Sequence, residues 1–402
     1  MSLDLPALHE ASSAELRDRA HDLGLKELPQ RRSDLVFAIA RFLGDKAGTH
    51  LGRGVLEVHS EGFGFLRSPD DNFLPGAGDI YVSQSQIRRF KLKTGDTVIG
   101  QVRPPKEGER YTALLRVETV NGDPPGGEPQ SFDQLTAIYP DERVALAQDD
   151  VLRAVDRACP LGLGQRGLFV APARTGRVDL LRRLVSVVGE DEDIETTVLL
   201  IGERPEEIQE WRKNTHAEVI ATPFDDPPAR HVQVADIVFE RARRQVERGD
   251  DVLLVVDSLT RLMRACLSEL PPAGRELGGV DVAALHRIRR YLGAARALEE
   301  GGSLTVIGVV SGESDTAASQ VLLDDLAEVV NWELVYSREV ADRGIRPPID
   351  VSRSFTLRPE RLLTVDELAA MDRWRASLTG DTVEDAAALL TWASTPLAAA
   401  TA

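Results

Sequence analysis

The sequence predicts a multidomain chain of α+β and α/β class: a small N-terminal helical unit, a five-stranded barrel, and an α/β domain on a largely parallel sheet. Three observations carry this. Residues 1–47 place apolar side chains at helical spacing, and residues 51–120 switch to short apolar runs cut by Gly, Pro, Asn and Asp. From residue 135 onward, short apolar runs alternate with longer amphipathic stretches. Short runs bounded by turn residues mark strands, and strand–helix alternation marks βαβ units around a parallel sheet. A chain of 402 residues has room for two or three domains.

Each element follows from its local pattern. Ala14–Leu23 and Arg32–Leu43 read as helices, with Ser33 and Asp34 expected to help start the second. Gly44–Gly54 is a turn-rich connection. Val55–Val58, Gly64–Leu66, Asp79–Val82, Thr97–Val102 and Tyr111–Val117 read as five strands, and their regular spacing suits a small closed barrel. Residues 121–131 are rich in Pro and Gly, which predicts a linker over 121–134. In the following domain, 135–402, strands are expected at Leu168–Val170, Thr197–Ile201, Val219–Ala221, Val252–Val256 and Leu304–Val310. The Ala-rich tail after Leu363 reads as helical to about Trp392.

Composition narrows the function classes. Hydrophobic content of 42% with 28% charged residues is that of a soluble globular protein. No uncharged apolar stretch reaches the roughly 18 residues of a membrane span, and residues 1–10 lack a secretory pattern. Two cysteines, Cys159 and Cys266, suggest a reducing compartment, so a cytoplasmic location is expected. The first 120 residues are balanced, with 17 Lys and Arg against 17 Asp and Glu, and the net charge of −17 lies wholly beyond residue 120. Local basic patches in the balanced part, rather than the total, decide whether phosphate is bound.

Two stretches carry chemistry. Phe63 and Phe65 stand two apart and so share a face of one strand, with glycines beside them. Tyr81, Arg88, Arg89, Lys91, Lys93, Arg103, Lys106, Arg110 and Tyr111 add rings and cations. Single-stranded RNA needs that combination, although the same alternation also suits rings filling a barrel core. Residues 168–178, Leu-Phe-Val-Ala-Pro-Ala-Arg-Thr-Gly-Arg-Val, form a strand, a turn and a helix start, the setting of a phosphate-binding loop. Such a loop ends Gly-Lys-Ser/Thr, the Lys reaching phosphate and the hydroxyl holding Mg²⁺. Here it ends Gly176-Arg177-Val178: the charge is kept, and the oxygen is lost. Asp257, at the end of a buried strand, is placed to hold Mg²⁺ through water, and Glu203 ends another strand; a helix cap or surface acid is the alternative for either.

The chain resembles the bacterial transcription termination factor Rho family. The matching stretches include Gly54–Glu57, Gly62–Ser68, Asp79–Ser83, Ser85–Phe90, Thr94–Thr97 and Arg103–Tyr111. They continue with Pro160–Leu168, Arg204–Glu207, Arg230–Ala235, Val256–Arg261 and Leu292–Arg296, to about residue 365. The resemblance implies an OB/cold-shock-like barrel that grips pyrimidine-rich single-stranded RNA through Phe63, Phe65, Arg67, Tyr81, Arg88, Arg89, Glu109, Arg110 and Tyr111. It implies a RecA-like α/β P-loop domain binding ATP with Mg²⁺. Nucleotide contacts are expected at Leu163, Gly164, Gln165, Arg166, Gly167, Arg174, Thr175, Gly176, Arg177, Val178 and Arg204. Glu203, Arg204 and Asp257 take the catalytic roles, Asp257 also the indirect metal contact. A hexameric ring acting as an RNA-dependent ATPase and helicase on RNA polymerase complexes is the family activity.

Several positions depart from the family pattern. Its loop reads Ala-Pro-Pro-Lys-Ala-Gly-Lys-Thr, against Ala171-Pro172-Ala173-Arg174-Thr175-Gly176-Arg177-Val178 here. Gly202 replaces an aspartate before Glu203. Leu357 falls where the arginine finger is expected, with Arg358 one position on. The first channel loop, Arg275–Asp281, is one residue short, and the second, Gly312–Ser319, carries acids in place of a lysine. A later lysine falls at Ala327. Three readings follow: an RNA-binding paralogue with impaired ATP hydrolysis, acting alone or in a mixed ring with an active Rho; a fully active translocase; and a non-motor RNA-binding adaptor. The departures favour the first.

Overall fold

Leu5–Glu10 (α1), Ser13–Leu23 (α2) and Arg32–Lys46 (α3) open the computed structural model, which describes residues 4–127, 130–269, 274, 276–277, 280–311 and 317–395. Ser12 caps α2 through a capping box with Glu15, and Gly24 ends it in the left-handed conformation at φ 79°. The start of α3 differs from expectation. Its N-cap is Arg31 and no side chain caps it, because the Asp34 carboxylate pairs with Arg31 and Arg53 instead. Leu8, Leu16, Leu35, Ile39 and Leu43 bury one face of these helices together with Leu51 and Ile99. Helix α1, only six residues long, has no counterpart in the sequence reading.

The barrel follows: Leu51–Val58 (β1), Gly64–Arg67 (β2), Ile80–Val82 (β3), Gln84–Phe90 (α4), Thr97–Arg103 (β4) and Thr112–Val120 (β5). The strands close in the order β1-β2-β3-β5-β4, all pairs antiparallel except β3 with β5. Leu56, Leu66, Ile80, Val82, Val98, Leu114 and Val117 fill the interior. Strand period 2 then sends Glu57, Phe65 and Tyr81, their neighbours in sequence, to the outside.

The remaining elements are Ala137–Ile138 (β6), Asp150–Ala158 (α5), Arg166–Val170 (β7), Arg177–Val188 (α6), Ile194–Glu203 (β8), Pro205–Asn214 (α7), Glu218–Pro223 (β9), Pro228–Val246 (α8) and Asp251–Asp257 (β10). After them come Leu259–Glu269 (α9), Glu276–Leu277 (β11), Val280–Asp281 (β12), Val282–Gly293 (α10), Arg296–Leu298 (β13), Ser303–Val310 (β14) and Ala317–Ala327 (α11). Trp332–Val335 (β15), Arg338–Asp342 (α12), Phe355–Thr356 (β16), Val365–Ala376 (α13) and Thr382–Ser394 (α14) complete the chain. The tail is thus two helices, not one; Gly380, at φ 85°, lies in the turn between them.

The main sheet runs β16-β15-β7-β14-β10-β8-β9 and is parallel from β15 to β9. All eight residues of β14 are buried, as a parallel strand covered on both faces requires. The short strands β6, β13, β15 and β16 are additions to the expected five. The chain divides into two compact units, Met1–Gln134 with Gln233–Arg248, and Leu135–Val232 with Gly249–Ala402. Among the described residues, no helix is long and apolar enough to cross a membrane.

Candidate functional site

The outer face of the barrel carries a cluster of five rings. Phe65 on β2 lies opposite Tyr81 on β3, with ring centroids 6.0 Å apart. Phe63 stands 5.8 Å from Phe65 and 5.9 Å from Tyr81, and Tyr111 is 4.8 Å from Phe65. Phe63, Phe65 and Tyr111 are half-buried and Tyr81 is exposed. None belongs to the barrel interior, so the alternative in which Phe63 and Phe65 fill the core is overturned by the outward turn of these positions. Partly exposed rings grouped on an outer face can act as a platform on which bases stack.

The fifth ring, His59, was missed by the sequence reading. It stacks on Phe63 at 5.1 Å with an interplanar angle of 14°, and meets Phe65 edge-on at 5.5 Å. The β1–β2 turn brings it there: the His59 amide donates to the Phe63 carbonyl at 2.8 Å, and Gly62 takes φ 89°, a conformation that glycine adopts without strain. On a regular strand two residues four apart share a face but stand about 13 Å from each other, so these rings stack only because a turn lies between them. The spacing of His59 and Phe63 does not by itself signal a stacked pair, but Gly62 marks the turn.

The charged residues expected here fall into two groups. Arg88 and Arg89 are exposed on the last turn of α4, and Arg110 is exposed beside Tyr111, 5.4 Å from its ring. Arg67 and Glu109 are committed to protein partners. Arg67 is 3% exposed and pairs with Glu57 at 2.6 Å and with buried Asp79, its guanidinium 4.9 Å from the Phe65 ring. It supports Phe65 from within the fold and is not free to meet a phosphate. Glu109 takes a two-bond contact from Arg103 at 2.5 and 2.9 Å and a bond from the Lys106 amide. The Arg103 contact first, then that amide, holds its carboxyl down at about 2. Glu109 thereby braces the 104–110 turn that leads to Tyr111.

The loop after β7 forms a second site. Ala171 donates its amide to Val310, the Thr175 hydroxyl donates to the Pro172 carbonyl at 2.7 Å, and Gly176 at φ 86° caps α6. The parallel strands bring Asp257, ending β10, and Glu203, ending β8, to the same edge of the sheet, where open α/β sheets bind ligands. Arg177 Nη2 lies 3.3 Å from Asp257 Oδ1, their side chains 15% and 1% exposed. Burial pushes the Asp257 carboxyl up, with the Arg177 and Arg261 charges pulling against it. Glu203 accepts from Arg261 at 2.7 Å and from the Arg204 amide at 3.0 Å. Burial opposes its charge, yet these bonds and the nearby Arg261 and Arg177 charges hold its carboxyl below the usual range. Arg204 opens α7 and is exposed, 3.1 Å from Glu207.

Comparison with known proteins decides the family. The model for the Rho termination factor, RNA-binding domain, matches residues 52–126, and that for the ATP synthase alpha/beta family, nucleotide-binding domain, matches residues 151–356. Transcription termination factor Rho of Pseudomonas aeruginosa is 42% identical over 380 residues, covering 92% of this chain and 91% of its own. That of Escherichia coli K12 is 43% identical over the same shares. The chain belongs to the Rho family. Among solved structures, an ATPase of the type III secretion system of pathogenic bacteria matches with TM-score 0.54 at 22% identity, over 72% of this chain and 90% of its own. ATP synthase subunit NeqB of Nanoarcheaum equitans matches with 0.52 at 15%, over 68% and 82%. At these identities the likeness is one of fold.

Against the Rho pattern, the second site departs in defined places. The residues do not fit a resident Mg²⁺. Val178 offers no oxygen and packs against the hydrophobic core, the Thr175 hydroxyl is directed to Pro172, and Asp257 is covered by Arg177. Gly202, at φ 60°, sits in a bulge between Ile201 and Glu203, and the bulge carries Glu203 out of the regular ladder. The segment expected to carry the finger ends with Leu357, 49% exposed, and Arg358, which pairs with Glu360 at 3.5 Å and lies 5.5 Å from the Tyr139 ring. Arg174 is exposed on the loop with φ 63°. Leu163, Gly164, Gln165, Arg166 and Gly167 are not brought to this cluster: they lie at the opposite end of β7, where Arg166 donates to the carbonyls of Val329 and Ala295. Of the two loops expected to line a channel, Arg275, Gly278, Gly279 and 312–316 lie outside the described residues, and Ala327 ends α11, exposed.

Proposed function

We propose that this chain acts in transcription termination or its control as an RNA-binding Rho-family protein whose ATP turnover is impaired. The observation that carries the reading is the five-ring face of the barrel, open to solvent and supported from beneath by Arg67. It suits single-stranded, pyrimidine-rich RNA: flat bases stack on Phe63, Phe65, Tyr81 and Tyr111, while Arg88, Arg89 and Arg110 supply charge for phosphates. The division of labour is a helical unit over 1–47, an RNA-binding barrel over 51–120, a linker over 121–134 and a nucleotide-binding domain over 135–402.

The impairment is supported by the second site. Magnesium bridges the β- and γ-phosphates in P-loop enzymes, and an arginine finger adds about 10³–10⁵ in rate. Val178 and Leu357 remove a ligand of the one and the charge of the other. The chain assembles as a homo-hexamer or as a mixed ring with an active Rho, and in either ring it meets RNA polymerase complexes through RNA. Retention of Glu203, Arg204 and Asp257 favours the second reading, a working translocase.

Phosphate release from ATP with Mg²⁺ and cytidine-rich RNA separates the two. The expected rate lies well below the roughly 1–10³ per second of ordinary enzymes. Several turnovers per second would establish the translocase instead.

A further inference from the structure

Arg177 stands where two requirements of a P-loop meet. It opens helix α6, whose first amide groups point toward the loop, and it reaches the acid that ends β10. In a metal-dependent site the space between that acid and the phosphates belongs to a divalent cation, held in part by the hydroxyl next to the lysine. Here position 178 is a valine packed on the core, and a guanidinium lies against Asp257. A guanidinium is permanently charged and carries five N–H donors in a fork matched to phosphate. One contact to Asp257 leaves others for a ligand, and Arg177 Nε has no hydrogen-bond partner although it is buried. Arg174, exposed on the same loop, adds a second fixed cation.

We propose that the Arg177 guanidinium, seated on Asp257, replaces the divalent cation, so that this site holds a nucleoside di- or triphosphate without metal. The inference rests on the reading of the chain as a Rho-family protein with an altered nucleotide site. It goes further in naming the ligand form: the metal-free polyphosphate, whose charge is met by fixed arginines. A metal carried in on the nucleotide would face Arg177 at close range, and the two cations repel.

The test measures binding, not turnover. Fluorescent mant-ADP is titrated into the full-length protein in Mg²⁺ and again in EDTA, and unlabelled ADP and ATP are then used as competitors. The expected result is binding in both, with the dissociation constant in EDTA equal to that in Mg²⁺ within about twofold, or tighter. Tenfold weaker binding in EDTA overturns the proposal, and so does no binding in either. In Arg177→Lys with Val178→Thr, Mg²⁺ is expected to tighten binding at least tenfold over EDTA; continued indifference to metal in a folded variant would remove Arg177 from the role. Rapid ATP turnover would defeat the impaired-motor reading without touching this measurement, so the two failures are distinguishable.

Discussion

The ring face of the barrel and the edge of the sheet at Asp257 are built from the same materials, strand positions and a glycine turn, yet they stand in opposite states. On the barrel, the charged groups that hold the fold are paired beneath the surface, as Arg67 with Glu57 and Asp79, and the rings above stay partly exposed. At the sheet edge the charged groups pair with one another: Arg177 with Asp257, and Arg261 with Glu203. A surface whose supports are satisfied and whose contacts are open is ready for a ligand. A site whose cations and acids answer each other must break those pairs, or use them as they stand.

Substitutions can break or sharpen that contrast. The largest effect is expected for Arg67→Ala, which takes the cation from two carboxylates: loss of one partner from a buried pair costs about 3–5 kcal/mol, read as a lower denaturant midpoint. A folded protein of normal stability with weakened RNA binding would instead move Arg67 into the interface. Phe65→Ala is expected to weaken a cytidine-rich oligonucleotide by about 1–3 kcal/mol in fluorescence anisotropy, with the melting of the protein little changed. Unchanged affinity would deny the ring face its role. His59→Ala removes a ring at the margin of the cluster and is expected to cost about 0.5–1.5 kcal/mol of RNA affinity, the scale of one aromatic contact. The smallest effect is expected at the other site. Arg177→Lys with Val178→Thr restores the loop alone, and phosphate release should rise less than tenfold, about 1.4 kcal/mol in barrier, because Leu357 and the altered channel loops remain. A hundredfold gain would place the whole defect in the loop.

Much of the contrast was legible in the chain. The five barrel strands and the five central strands of the sheet announce themselves through apolar runs bounded by turn residues, and the rings through their spacing of two. What escaped depends on distance along the chain. Arg67 meets Asp79 twelve positions away and Glu57 ten, across strand pairings no local window contains. Arg177 meets Asp257 eighty positions away, through a parallel sheet whose order must first be known. His59 needed the shape of one turn. The short strands β13, β15 and β16 are two to four residues long, too short for any period to register.

Val178 ties the loop to the core of its domain. Its methyl groups lie against the apolar cluster that includes Leu180, Leu181 and Leu184 from the same helix. Threonine has the same outline, but its hydroxyl must find a partner or stay unpaired among hydrocarbon. On the proposed metal-free reading, a threonine at this position gains no metal contact to offset that cost. The same side chain thus serves the packing of its domain, so a change of chemistry at position 178 is also a change in the core behind the loop.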